Sequence, residues 1–102
     1  MNRIDYDERR TVYREALRMY GTENQIAVAI EEMSELTKEL CKAKRNKGKL
    51  AAIAEEIADV TIMLEQLKLI YDVGDSVELW MDMKIRRLQE DLGMKVTTVE
   101  RC

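Results

Sequence analysis

The sequence predicts an all-α fold, a four-helix domain dominated by one long antiparallel hairpin, and three observations carry that prediction. Apolar residues recur at three- and four-residue steps through four successive segments, each bounded by Gly or a polar turn. Strand-like alternation is absent except in the last few residues. The 102 residues are 46% hydrophobic and 36% charged, too apolar for a disordered chain and too charged for a membrane span.

The first helix is marked by Tyr6, Tyr13, Ala16, Leu17 and Tyr20, and Gly21 supplies its stop. Thr22 with Gln25 three residues on reads as a capping box. Ile26, Ala29, Ile30, Met33, Leu36 and Leu40 then form the stripe of a second helix running to about residue 45. Asn46-Lys47-Gly48 is the loop, and Ile53, Ile57, Val60, Leu64, Leu67 and Tyr71 mark a third helix that stops near Asp72 to Gly74. Asp75 or Ser76 is placed to cap a fourth, with Glu78 at capping-box spacing from Asp75 and Leu79, Met83, Arg86, Arg87 and Leu88 carrying it towards Gly93. The tail, residues 94–102, contains Val96-Thr97-Thr98-Val99 and is left unassigned. Seven Met residues suit irregular gaps in a helical bundle. The whole is expected to be one domain over 1–102, its core about 22–92.

Helices two and three should each be roughly 33 to 36 Å long. A chain of about 100 residues has little else with which to cover them, so pairing of copies is expected to complete the bundle core. A homodimer is the simplest outcome and a homotetramer the next.

Composition narrows the chemistry. There is no His, and the two Cys are Cys41, inside a helical pattern, and Cys102, at the end. That is neither a disulfide framework nor a zinc site, and it removes Ser-His and Cys-His nucleophile pairs. With no long apolar run and no secretory leader in the sequence, a cytoplasmic location is expected. A net charge of −3 argues against general nucleic-acid binding. The charge is uneven: Lys42, Lys44, Arg45, Lys47 and Lys49 crowd the loop without an acid, whereas residues 50–79 hold seven acids and one Lys.

The informative feature is an internal echo. Ile30-Glu31-Glu32-Met33-Ser34-Glu35-Leu36-Thr37 returns 24 residues later as Ala54-Glu55-Glu56-Ile57-Ala58-Asp59-Val60-Thr61. At about 100° per residue, Glu32 and Glu35 lie one turn apart beside the apolar stripe, and Glu56 and Asp59 repeat the placement. A short loop makes the helices antiparallel, which brings four carboxylates together. Such a group is costly to desolvate without a cation, and all-oxygen ligation favours Mg²⁺ or Mn²⁺. Mg²⁺ commonly completes its shell with water and substrate phosphates, which suggests a phosphorylated substrate.

On these residues the chain resembles the MazG-like, all-α nucleoside triphosphate pyrophosphohydrolases, whose signature is EExxE followed by ExxD on the next helix. Here it reads Glu31-Glu32-Met33-Ser34-Glu35 and Glu56-Ile57-Ala58-Asp59, within a resemblance covering about residues 22–92. The resemblance implies Mg²⁺-dependent hydrolysis of a nucleoside triphosphate at the α-phosphorus by a metal-activated water, giving monophosphate and pyrophosphate, in dimers or tetramers. It implies Glu32, Glu35, Glu56 and Asp59 as metal ligands, with Mn²⁺ as a substitute. Glu31 and Glu55 are candidates to orient or deprotonate the water. Lys84 and Arg87, three apart on helix four, and Lys38, one turn after Glu35, are candidates for the remaining phosphate charge, with the Lys42–Lys49 cluster as an alternative. Gln25, Trp80 and Tyr71 are candidates for the base, each with a structural role as the plainer explanation.

Two rivals are weighed. A di-iron carboxylate bundle normally requires Glu-x-x-His, which this chain lacks. The other is a non-catalytic helical oligomerisation, regulatory or nucleotide-sensing module. No membrane or nucleic-acid partner is expected.

Overall fold

The structure is a computed structural model that describes residues 2–95. Its order is α1 (Tyr6–Tyr20), α2 (Thr22–Lys44), α3 (Leu50–Tyr71) and α4 (Gly74–Asp91), with no strand among the described residues. Where the sequence suggests one domain, contacts gather into two units, Met1–Asp72 and a second beginning at Val73. No described helix is long and apolar enough to cross a membrane.

α1 starts where the Asp5 carboxylate accepts the Glu8 N–H at 2.8 Å, with Asp7 and Glu8 in the first turn favouring the positive end of the helix. It ends at Gly21 as expected. That residue sits at φ +88° and donates its N–H to the Leu17 carbonyl at 3.0 Å, a backbone that Gly adopts readily. The same Gly21 precedes the first residue of α2, and no side chain caps that helix. The Thr22–Gln25 capping box therefore does not form: Thr22 is already helical, and Gln25 has been drawn inward.

The α2–α3 loop turns tightly. A Cβ on Gly48 would stand 2.8 Å from the Ala43 Cα, so only Gly lets the loop lie against the end of α2. α3 ends at Asp72 in the left-handed region, where sequence punctuation places its stop. α4 departs from its expected cap. It begins at Gly74 after Val73, with neither Asp75 nor Ser76 capping it, and none of its residues is buried. Val96–Val99 lies outside the described residues.

The hairpin seam differs from the most apolar stripe. On α2 the inward positions are Gln25, Ala29, Glu32, Leu36, Glu39 and Ala43, and on α3 they are Ala52, Glu56, Asp59, Met63, Gln66 and Ile70; all are buried or half-buried. They follow alternating steps of four and three, the spacing of two helices packed along their length. The stripe one residue further on stays largely open: Ile30 is 59% exposed, Ile57 49% and Leu64 45%. Among the described residues, Tyr13, Ala29 and Met63 are the buried apolar side chains.

Candidate metal centre

Two contacts set the register of the hairpin. The Gln25 amide donates to the Gln66 side-chain carbonyl at 2.8 Å in the buried seam. Seven residues along α2, Glu32 lies beside Asp59, seven residues back along α3. Glu56 follows within a turn, and one carboxylate oxygen from each of Glu32, Glu56 and Asp59 lies within 4.8 Å of the other two. Three half-buried acids thus meet at mid-hairpin.

Their electrostatics are those of like charges drawn together and partly desolvated. Glu32 is raised above the ordinary carboxylate value, first by desolvation and then by the charges of Asp59, Glu31 and Glu35. Glu56 is raised by desolvation and then by Asp59, Glu32, Glu35 and Glu55. Its Oε2 is buried and has no hydrogen-bond partner. The hydroxyls of the two echoed segments bond their own helices: Ser34 donates to the Ile30 carbonyl at 3.0 Å and Thr61 to the Ile57 carbonyl at 2.7 Å.

Of the four carboxylates expected together, three converge. Glu35 is exposed and is not among the three that converge; it acts on Glu32 and Glu56 through its charge from the rim. Glu31 and Glu55 are exposed on the same flank, one residue before Glu32 and Glu56, and Lys38 is exposed one turn beyond Glu35. Gln25 is 6% exposed and paired with Gln66. Lys84 and Arg87 belong to the second unit, where the Lys84 ammonium lies 5.9 Å from the centre of the Trp80 ring.

A second feature has no counterpart among the site residues singled out from sequence. On the flank carrying Glu31 and Glu55, α1 leans on α3: the Tyr13 hydroxyl donates to Glu65, and Arg9 pairs with the same carboxylate at 3.6 Å. Between the helices lies a groove of about 470 Å³ lined chiefly by Ile4, Val12, Tyr13, Ala58, Thr61 and Ile62. Ala58 precedes Asp59 directly, so the groove begins beside the acids. Its only signal in the sequence was the small, apolar run around Ala58 and Ile62, which periodicity alone assigns to no partner.

The donor set fits a hard divalent cation: carboxylate oxygens alone, one of them buried and unpartnered. Comparison with protein-family models, curated proteins and solved structures finds no match to this chain.

Proposed function

We propose that this chain is a Mg²⁺-dependent nucleoside triphosphate pyrophosphohydrolase that cleaves at the α-phosphorus and releases monophosphate and pyrophosphate. The observation that carries this reading is the convergence of Glu32, Glu56 and Asp59 with a buried oxygen left unpartnered. The EExxE and ExxD signature supplies the reaction class.

In this reading Glu32, Glu56 and Asp59 hold the cation, and Glu35 joins by turning inward from the rim. Bound there, Mg²⁺ supplies charge neutralisation for the polyphosphate and lowers the pKa of a coordinated water. Glu31 and Glu55, exposed beside the ligands, are the bases available to take a proton in a chain without His. Lys38 lies on the same flank and is available to phosphate oxygens. Lys84 and Arg87 are further phosphate donors by the resemblance alone. The groove beginning at Ala58 has the volume of a small-ligand site and offers apolar walls to a nucleoside.

The test is to incubate the chain with canonical and modified triphosphates and Mg²⁺ and to follow the products. Monophosphate with pyrophosphate supports the reading. Orthophosphate release, or no turnover and no Mg²⁺ binding, overturns it and leaves a non-catalytic helical module.

A further inference from the structure

We propose that the tip of the α2–α3 hairpin docks on an anionic lipid surface, with Lys44, Arg45, Lys47 and Lys49 against the headgroups and Leu50 in the interface between them. This contact is independent of the enzymatic reading.

Residues 40–54 hold five cations, no acid and no aromatic, and are bounded by Glu39 and Glu55. Lys42 is taken by Glu39 at 3.3 Å. Lys44, Arg45, Lys47 and Lys49 are exposed and enter no ion pair among the described residues. The needs of the fold account for only part of this charge. Lys42 and Lys44 lie in the last turn of α2, where cations favour the negative end of a helix. Lys49, by contrast, is the N-cap of α3, whose first turn has no acid. A Ser, Thr, Asp or Asn there would stabilise the helix, whereas a cation opposes its dipole. The backbone holds these charges in place. Arg45 and Lys47 both donate their N–H to the Lys42 carbonyl at 3.0 Å, Asn46 donates to the Ala43 carbonyl at 3.0 Å, and Gly48 lies against Ala43. A fixed basic turn whose charge works against the helix it begins is suited to a partner outside the fold.

Three observations make that partner a lipid surface. Leu50, next to Lys49, is 85% exposed, more than any other large apolar side chain described. An apolar group gains nothing from phosphates alone, but at a membrane interface it is buried while its basic neighbours meet the headgroups. Nucleic-acid strands are commonly held by stacking on aromatic groups, and residues 40–54 offer none. Shape is the third observation. The clustered acids lie about 9 to 18 Å back along the helices, a Debye length or more from the tip. A flat anionic sheet met end-on therefore feels the tip alone, whereas a strand running along the hairpin would also meet Glu31, Glu35 and Glu55. The net charge of −3 describes the chain and not this end of it. Four cations and one Leu fall short of an anchor, so the contact is reversible.

The experiment sediments the full chain with vesicles of phosphatidylcholine alone or mixed with phosphatidylserine, at low and at high salt. Expected is binding to the mixed vesicles only, lost at high salt. Removing two cations by Lys47→Gln with Lys49→Gln should lower partitioning roughly thirtyfold. Leu50→Ser should lower it about tenfold and leave its salt dependence as it was. Arg3→Gln with Arg14→Gln makes the same charge change at exposed positions away from the tip and should leave partitioning unaltered. If a tip variant fails to fold, lipid charge and salt still decide in the parent chain. Equal binding to both kinds of vesicle, or binding to neither, would overturn the proposal. So would a loss from the Arg3 and Arg14 pair as large as that from the tip, a Leu50→Ser variant indistinguishable from the parent, or tighter tip-dependent binding to duplex DNA or single-stranded RNA than to the vesicles.

Discussion

One seam contains two kinds of polar group, and they are treated oppositely. Towards the start of α2, Gln25 and Gln66 are buried but satisfy each other; towards the loop, Glu39 is paired with Lys42 at 3.3 Å; beside the seam, Glu65 is held by Tyr13 and Arg9. At mid-hairpin, Glu32, Glu56 and Asp59 face one another, and one Glu56 oxygen is buried without a hydrogen-bond partner. Where polarity serves the fold, this chain supplies the complement from its own side chains. The three acids instead bring like charges together, with one oxygen that no side chain of the described residues bonds.

The largest expected effect separates these regions outright. Glu56→Gln should reduce triphosphate turnover by at least about 10²–10³-fold, on the scale of losing one preorganised electrostatic contact in an active site. Helix content by circular dichroism should be unchanged, because the substitution relieves repulsion instead of opening a cavity. Turnover unaffected by this change would mean that the acids are not the site.

Next in size is the response to metal. If the acids bind Mg²⁺ only in the folded chain, a concentration one hundred times Kd should add about 2.7 kcal/mol, enough to raise Tm by roughly 10 °C or more in a domain this small. Glu32→Gln and Glu56→Gln should remove that rise, while Gln66→Leu, altering the satisfied part of the seam, should keep it.

Acidity gives the sign of the same effect. Glu32 and Glu56 are held above their ordinary value of 4.5, so the folded chain retains protons that the unfolded chain has released. Their contribution to stability is complete below about pH 4.5 and is lost as pH climbs through the raised values. Metal-free protein should therefore gain from these two groups on acidification, and the Mg²⁺-induced rise in Tm should disappear over the same window. Parallel melts in chelator and in Mg²⁺ from about pH 4 to 8 read both slopes. A Mg²⁺ effect independent of pH would place the ion elsewhere.

The acid cluster was legible because helical period is a local property. The spacing of Glu32, Glu56 and Asp59 and the short loop after Lys44 are enough to put them together once the helices pair. The stops at Gly21 and Asp72 were legible for the same reason, since each depends on a residue suited to positive φ. What escaped was long-range choice. Each long helix carries an apolar stripe and, one residue away, a mixed stripe in which acids and Gln alternate with Ala and larger apolar residues, and period cannot say which of them a partner helix takes. The mixed stripe became the seam. Local spacing makes Gln25 look like a cap because its partner, Gln66, lies 41 residues away, and the pairing of Tyr13 with Glu65 spans 52 residues, beyond the reach of local pattern.

The buried amide pair sharpens the contrast at smaller scale. Gln66→Leu leaves the Gln25 amide buried without its acceptor and should cost about 1–3 kcal/mol in chemical denaturation. Replacing both by Leu removes the unmet polarity and should restore most of the loss, a recovery that a double-mutant cycle measures directly. The acids predict the reverse pattern, with a single amide substitution stabilising the metal-free chain. Equal penalties in both places would show that the acids, too, are satisfied within the fold.

The smallest effect is expected at Tyr13. Burial first, then donation to Glu65 and that carboxylate's charge, push the phenol from 10.0 up to about 12. A raised value means that the neutral hydroxyl supports the fold below pH 10 and that this support is lost as pH rises through about 12. Tyr13→Phe removes the donor, but Arg9 stays within 3.6 Å of Glu65, so the carboxylate is not stranded. The loss should be about 1 kcal/mol, with a shallower alkaline decline in Tm. Because this contact lies on the α1 flank and not among the acids, the Mg²⁺-induced rise should be the same in Tyr13→Phe as in the parent chain. A variant that lost its Mg²⁺ response would show that the satisfied and unsatisfied groups form one network, coupled through α3.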